Sequence, residues 1–271
     1  MSGCARIRAR ARAVLRAAAA LAAIAFLLCA WLPVAGGIPG ALRPSFLLAP
    51  PALLGAAGGI GPILLASLLL AGLAAVIAIL LALPAGIGLW LARGRSGWGE
   101  TLADMLIAVP SIVYGLAALA LAGALGAGPS LILGALTLAL IVLPWLARGV
   151  GEALAGLDPR WNLAAAALGL PLRVSLARVL WPQARGAIRE AVLLAIGRAA
   201  GETAALLLAL GSGFGDGISL LEPQRVLTVH ITELALHVPG GRPQALASAA
   251  VLALAVLVLE WPLLARARRA P

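Results

Sequence analysis

The sequence predicts an all-α, polytopic membrane protein with six transmembrane helices, and three observations carry that expectation. Hydrophobic residues make up 63% of the 271 and charged residues only 11%, where a soluble domain carries about 45–50% apolar and about 25% charged residues. Six runs are apolar over roughly the 20 residues needed to cross a hydrocarbon core of about 30 Å. The arginines gather on one side of those runs, as the positive-inside rule requires.

Taken in order, the runs are Val14–Leu32, Ile60–Leu91, Leu102–Leu125, Ser130–Ala147, Ala187–Leu210 and Ala245–Leu264. The first follows Arg6, Arg8, Arg10, Arg12 and Arg16, a pattern shared with signal peptides. Its apolar stretch exceeds the roughly 7–15-residue core of such a peptide and lacks an Ala-x-Ala site, so it reads as an uncleaved first helix. Leu27-Leu28-Cys29 faintly resembles a lipoprotein cleavage box, but Leu28 is too bulky before the cysteine. The second run is long enough to tilt or to end in a polar-facing extension at Pro84. No run alternates apolar and polar residues as a membrane β-strand does. Pro84, Pro110 and Pro144 fall toward the ends of the second, third and fourth runs and read as ordinary membrane-helix prolines rather than specific hinges.

With the N-terminus cytoplasmic, sixteen arginines lie on the inner side. Arg93 and Arg95 follow the second run, Arg148, Arg160, Arg173, Arg178, Arg185 and Arg189 lie about the loop between the fourth and fifth, and Arg266, Arg268 and Arg269 close the chain. Only Arg43, Arg225 and Arg242 are outside, and Arg198 sits within a run. Both termini are therefore expected in the cytoplasm. The net charge of +10 records topology rather than a nucleic-acid footprint. All 20 basic residues are arginine, which excludes a P-loop lysine or a Schiff-base lysine in this chain. His230 and His237 have no cysteine near them and make no metal constellation, and Cys4 and Cys29 are too differently placed for a structural disulfide. Ser212 lies between glycines, but Leu210 and Phe214 stand where a nucleophile elbow needs glycine. No cofactor is expected in the chain.

The inner loop between the fourth and fifth runs spans about 40 residues and the outer loop after the fifth about 34, lengths that usually signal function. Leu163, Ala167, Leu168, Leu172, Leu176 and Val179 recur along the inner loop at helical spacing, and Pro171 and Pro182 divide it into two short helices. An apolar face on a cytoplasmic connection is a docking element. In the outer loop, the glycine-rich Gly211–Gly217 precedes Val226–Val238, whose apolar residues Val226, Val229, Leu234 and Val238 suit an interfacial or protein-binding helix.

The inner loop carries Leu163-Ala164-Ala165, then Gly169, then Val179-Leu-Trp-Pro182. This resembles the cytoplasmic "EAA" signature of ABC-transporter permeases: Glu-Ala-Ala, three residues, Gly, nine residues, Ile, one residue, Leu-Pro. Ala164, Ala165, Gly169 and Pro182 match and Val179 replaces the isoleucine; Leu163 stands in place of the glutamate and Trp181 in place of the leucine. Val109-Pro-Ser111-Ile-Val-Tyr114-Gly115, Leu143-Pro144 with Glu152-Ala-Leu154, and Gly197-Arg198-Ala-Ala-Gly-Glu202-Thr203-Ala204 are similar to the phosphate-specific branch, more to its A-type than its C-type subunit.

That resemblance, over about residues 60–210, implies a type I ABC importer permease in a bacterial inner membrane. It implies a second homologous permease, cytoplasmic ATP-binding subunits that carry the ATPase activity, and an extracytoplasmic phosphate-binding protein, all embedded in or beside membrane lipid. The chain itself is then no enzyme. Residues 1–59 hold the cytoplasmic N-terminus, first helix and outer loop. Residues 60–265 form the permease core, with a coupling loop at about 155–186, and 266–271 a cytoplasmic tail. Leu163, Ala164, Ala165, Leu168, Gly169, Val179 and Pro182 are the expected ATPase-coupling residues.

Arg198 and Glu202 are the expected substrate-pathway charges, with Thr203, Ser111 and Tyr114 as neighbouring polar groups. A charge at mid-membrane costs about 3 kcal/mol or more and so faces protein or water. A spacing of four lets Arg198 and Glu202 pair on one helix face, and Gly197 and Gly201 would admit a neighbouring helix. The alternative is an ion pair that only fixes packing. Two rival functions stay open: a permease for another oxyanion or small solute, and a membrane scaffold or sensor without transport.

Overall fold

The protein, seen in a computed structural model, is predominantly helical, with one small ribbon among the described residues. Residues 29, 31–94, 97–214 and 217–267 are described, with side chains to Pro262; most of the first expected span and Cys4 lie outside them. Helix α1 (31–41) and the short α2 (Pro44–Leu48) lead to a two-residue antiparallel ribbon, β1 (Pro51–Ala52) with β2 (Ala57–Gly58). A tight turn joins its strands with Leu53, Leu54 and Gly55 all at positive φ.

Helix α3 (Gly61–Ala92) fills the second expected span. Its 32 residues at 1.5 Å each make about 48 Å, longer than the hydrocarbon core, and it continues through Pro84. Helix α6 (Leu131–Ala155) fills the fourth span, passes through Pro144, and runs eight residues beyond the expected Ala147 before ending. Helix α12 (Arg242–Ala267) fills the last. These three are each long and apolar enough to cross a membrane.

Two expected spans are present but broken. The third is α4 (Trp98–Ala108) followed by α5 (Ser111–Ala124), bent by 88°. Val109 is extended (ψ 127) ahead of Pro110, because the proline ring disfavours helical geometry in the residue before it and removes a donor. The Tyr114 hydroxyl donates to the Leu106 carbonyl across the bend (2.9 Å). The bend makes Pro110 a structural break, in contrast to Pro84 and Pro144. The fifth span is α9 (Trp181–Ala200), an interruption at Gly201–Thr203, and α10 (Ala204–Ala209).

Between α6 and α9 lie α7 (Pro159–Ala167), α8 (Leu172–Val174) and a wide π-type turn, Ser175–Leu180. Pro182 does not divide this region as its sequence suggests. It occupies the first turn of α9, where a missing N–H is tolerated, and the wide turn stands just ahead of it. Helix α11 (Leu227–Leu236), in the connection between α10 and α12, packs on α12 and α3. The Ser67 hydroxyl of α3 accepts from the Leu227 amide (2.8 Å) at the start of α11.

The core is a close contact of small residues. Ala66, Leu70, Ala74, Ala78 and Ala82 repeat every four residues along α3 and are buried with Gly86 against α6. At Gly86 an added Cβ would stand 2.6 Å from the Ala147 carbonyl and 2.6 Å from Val150 Cβ. Gly149 meets Ala191 of α9 in the same way, at 2.6 Å. With lipid as apolar as leucine, such backbone approach, rather than hydrophobic burial, holds membrane helices together. The opposite side of α3 exposes Leu65, Leu68, Val76 and Leu80, a surface suited to lipid or a partner helix. Gly86→Ala is expected to destabilise the protein by about 1–3 kcal/mol through overpacking. Gly88→Ala, with open space around it, should be neutral or better. Thermal melting in detergent checks both.

Candidate functional site

Helix α7 begins as its sequence dictates. Asp158 caps it by accepting from the Arg160 amide (2.9 Å), and Pro159 takes the first turn, the favoured combination for a helix start. It ends at Gly169, whose φ of +62 is a conformation that glycine adopts without strain. The Gly169 and Leu170 amides then donate to the Ala166 and Ala165 carbonyls, satisfying the helix end. The glycine of the resemblance is thus needed for its backbone alone; nothing lies within 4 Å of an added Cβ.

Of the expected coupling residues, Leu163 (67% exposed) and Leu168 (74% exposed) project from the molecule, with Trp161 and Leu172 beside them. Ala164 is exposed and Ala165 buried. Val179 is half-buried and packs against the main core with Leu176, so it braces the loop rather than presenting a surface. Pro182 is exposed at the start of α9.

Of the expected pathway residues, Arg198, Glu202 and Thr203 lie where α9 breaks, but the expected ion pair does not form. The helix ends at Ala200, and Gly201 and Glu202 turn back with their amides on the Arg198 and Ala199 carbonyls. This takes Glu202 off the face that Arg198 occupies. The Glu202 carboxylate instead accepts from the Thr203 (3.2 Å) and Ala205 (3.4 Å) amides and caps α10. A negative group there also meets the positive end of the helix dipole. Arg198 lies with its guanidinium 4.6 Å from the centre of the Trp145 ring on α6, a cation–π contact, and has no carboxylate partner among the described residues. Thr203 is half-buried at the break.

Gly197 is a close-contact glycine, packed by the Glu260 carboxylate of α12, whereas Gly201 has no neighbouring helix against it. Ser111 begins α5 just after the bend, and Tyr114 uses its hydroxyl to hold that bend. The two breaks meet: a Cβ on Gly115 of α5 would fall 2.6 Å from the Ala205 carbonyl of α10.

Two arrangements were not visible in the sequence, because they join residues far apart in the chain. At one end of the bundle Arg93 contacts both Glu100 and Glu152, and Arg148 contacts Asp104, tying α3, α4 and α6 at their exposed ends. Elsewhere Arg225 donates to the Ser212 (2.9 Å) and Leu54 (3.3 Å) carbonyls and stacks on Phe214, 3.9 Å from its centre. It thereby fastens the glycine-rich loop to the ribbon. Beside it opens an apolar groove of about 920 Å³, lined by Leu47, Leu54, Phe214 and Ile218 among others, with neither Arg198 nor Glu202 in its lining.

Beneath the ribbon turn His230 of α11 is fully buried, with both ring nitrogens lacking a hydrogen-bond partner among the described residues. Burial, and secondarily the nearby Arg225 charge, lowers its pKa to about 4. The unfolded ring titrates near 6.5, so between the two values the unfolded chain binds more protons than the folded one. Stability is therefore full above about pH 6.5 and declines as the pH falls toward 4. His230→Phe should flatten the melting temperature across that window; an unchanged slope would count against it.

No family model matches the chain. It is 35% identical over 201 residues to the phosphate transport system permease protein PstA of Xylella fastidiosa strain Temecula1, covering 71% of this chain and 69% of that protein. Against PstA of Yersinia pestis it is 33% identical over 202 residues, covering 72% and 68%. Against PstA 1 of Mycobacterium tuberculosis it is 36% identical over 158 residues, covering 57% and 52%. Among solved structures, an inward-facing MetNI methionine ABC transporter chain superposes with a TM-score of 0.61 at 16% identity, over 73% of this chain and 89% of that one. A chain of an amino acid ABC transporter does so with 0.57 at 19%, over 77% and 92%. The fold is therefore that of an ABC importer permease, a multi-pass membrane protein. The chain belongs to the PstA family of phosphate transport system permeases.

Proposed function

We propose that this chain is one membrane subunit of an ATP-driven importer of inorganic phosphate, and that it supplies half of the translocation pathway. The observation that carries the reading is its kinship with PstA proteins over about 200 residues, a stretch long enough to take in both α7 and the α9 break. A cytoplasmic ATPase engages the exposed apolar residues of α7. A homologous permease completes the pathway, and an extracytoplasmic binding protein delivers the anion. The termini lie in the cytoplasm, by the arginine distribution.

The chemistry follows from the arrangement. Phosphate crossing the bilayer needs an attractive group that holds it briefly, since conduction fails when binding is tight. Arg198 fits: its planar donor fork suits an oxyanion, no carboxylate among the described residues pairs with it, and its resting contact is a ring that an anion can outcompete. Closure of the ATPases draws on α7. The motion passes through the core-packed Val179 turn into α9, which is stiff up to Ala200. At Gly201–Thr203 the helix is already interrupted, so α9 and α10 can change their mutual angle without breaking an α-helical ladder. Glu202 keeps α10 capped during that movement, and Gly115 passes it to α5.

In proteoliposomes holding the complete complex, Arg198→Gln should lower phosphate uptake at least tenfold, about 1.4 kcal/mol in the barrier, with ATPase association unaffected. Uptake at the normal rate would remove Arg198 from the pathway. Cysteine at Leu168 should cross-link to the ATPase subunit, and cysteine at Val179 should do so poorly. An intact complex without any Leu168 cross-link would contradict the docking role of α7.

A further inference from the structure

Glu260 lies near the inner end of α12, within the apolar stretch Arg242–Pro262. Its carboxylate is packed directly against Gly197 of α9, closer than any side chain at that position would permit. It makes no hydrogen bond or ion pair with any described residue. The next residue of α9 is Arg198, whose guanidinium is turned away onto Trp145 and also lacks a carboxylate partner. The other nearby acid, Glu202, is committed to the Thr203 and Ala205 amides. Glu260 therefore stands against the residue next to the exposed Arg198, and neither charge has an opposite partner among the described residues.

From this juxtaposition we infer that Glu260 is the alternate partner of Arg198: the guanidinium moves between the Trp145 face and the Glu260 carboxylate, and the carboxylate displaces the bound anion from the arginine. Gly197 is the notch that makes the exchange feasible, because only a residue without a side chain lets the carboxylate approach the backbone beside Arg198. Three features support this. Arg198 directly follows Gly197 in α9, so the carboxylate rests against the residue next to the arginine in the same helix turn. Opposite charges at close range attract even beside solvent, more weakly than in a dry interior, so the second position is open to the guanidinium once Trp145 is relinquished. An anion at Arg198 would feel repulsion from a carboxylate next to it, which supplies the weak, reversible binding that a pathway needs. Glu260 acts through Arg198 and is a positioning residue. The inference rests on the pathway reading of Arg198.

The experiment uses the complete complex in proteoliposomes, with uptake of radiolabelled inorganic phosphate and ATP hydrolysis measured together, so that anion moved per ATP is the readout. Glu260→Gln, isosteric and uncharged, should assemble normally and keep binding-protein-stimulated hydrolysis within twofold, while phosphate moved per ATP falls about tenfold. Glu260→Asp should recover most of the ratio. Gly197→Ala, which pushes the carboxylate out of the notch, should reproduce the Gln variant. Arg198→Gln combined with Glu260→Gln should be no worse than Arg198→Gln alone, as expected of residues acting as one unit. An unchanged ratio in Glu260→Gln, equal damage from Gln and Asp, or loss of assembly in Glu260→Gln would overturn the inference. Normal uptake by Arg198→Gln would instead overturn the pathway reading beneath it, so the two failures are told apart.

Discussion

Close backbone contact between α3, α6 and α9 is the constraint on which the remaining geometry depends. The alanine and glycine stripe of α3 lets α6 approach until Gly86 touches Ala147 and Val150, and Gly149 admits α9 on the adjoining side. Because lipid offers no hydrophobic drive for helices to associate, the gain comes from dispersion over a surface without protruding side chains, each atom pair contributing little and the sum much. The packing also fixes where Trp145 faces α9, and therefore where Arg198 rests. A bulkier α3 face would hold the helices apart and leave that cation without its ring.

Against this rigid group, the functional region is built from interruptions. The 88° bend at Val109–Pro110 and the break at Gly201–Thr203 lie on helices that touch through Gly115 and Ala205. Irregular backbone inside a membrane is tolerated where protein or a polar cavity satisfies it. Here the Tyr114 hydroxyl and the Glu202 carboxylate provide the satisfaction. Both are polar groups that a hydropathy profile marks as oddities within a span. Their hydrogen bonds show that they hold two broken helices in shape, while Arg198 rests on the Trp145 ring.

Much of the architecture was legible from the chain. The positions of α3, α6 and α12 followed from unbroken apolar runs. A helix at α7 followed from the apolar periodicity through Leu163, Ala167 and Leu168, with Pro171 beyond its end. What escaped was direction and distance. A hydropathy average over 102–125 or 187–210 cannot register that the backbone turns, although Pro110 and Gly201 mark the places. Spacing alone paired Arg198 with Glu202, and the pairing failed because a four-residue interval brings side chains together only while the helix continues. Val179 fell on the apolar periodicity correctly, but periodicity does not say whether a face meets its own core or a partner. The Arg93–Glu152 contact, the Arg225 anchor and the seat of Glu260 on Gly197 join residues tens to well over a hundred positions apart in some cases, and no local pattern encodes them.

The central claim is that α7 and α9 move as one body and that the chain flexes at Gly201–Thr203. It is tested most directly by distances between spin labels in the assembled complex, in a background with Cys4 and Cys29 replaced by serine. Labels at Leu168 on α7 and Leu194 on α9 should keep the same separation with and without ATP. Labels at Leu194 and Leu207, on either side of the break, should change theirs by several ångströms. A fixed distance across the break, with a change between α7 and α9, would contradict the account.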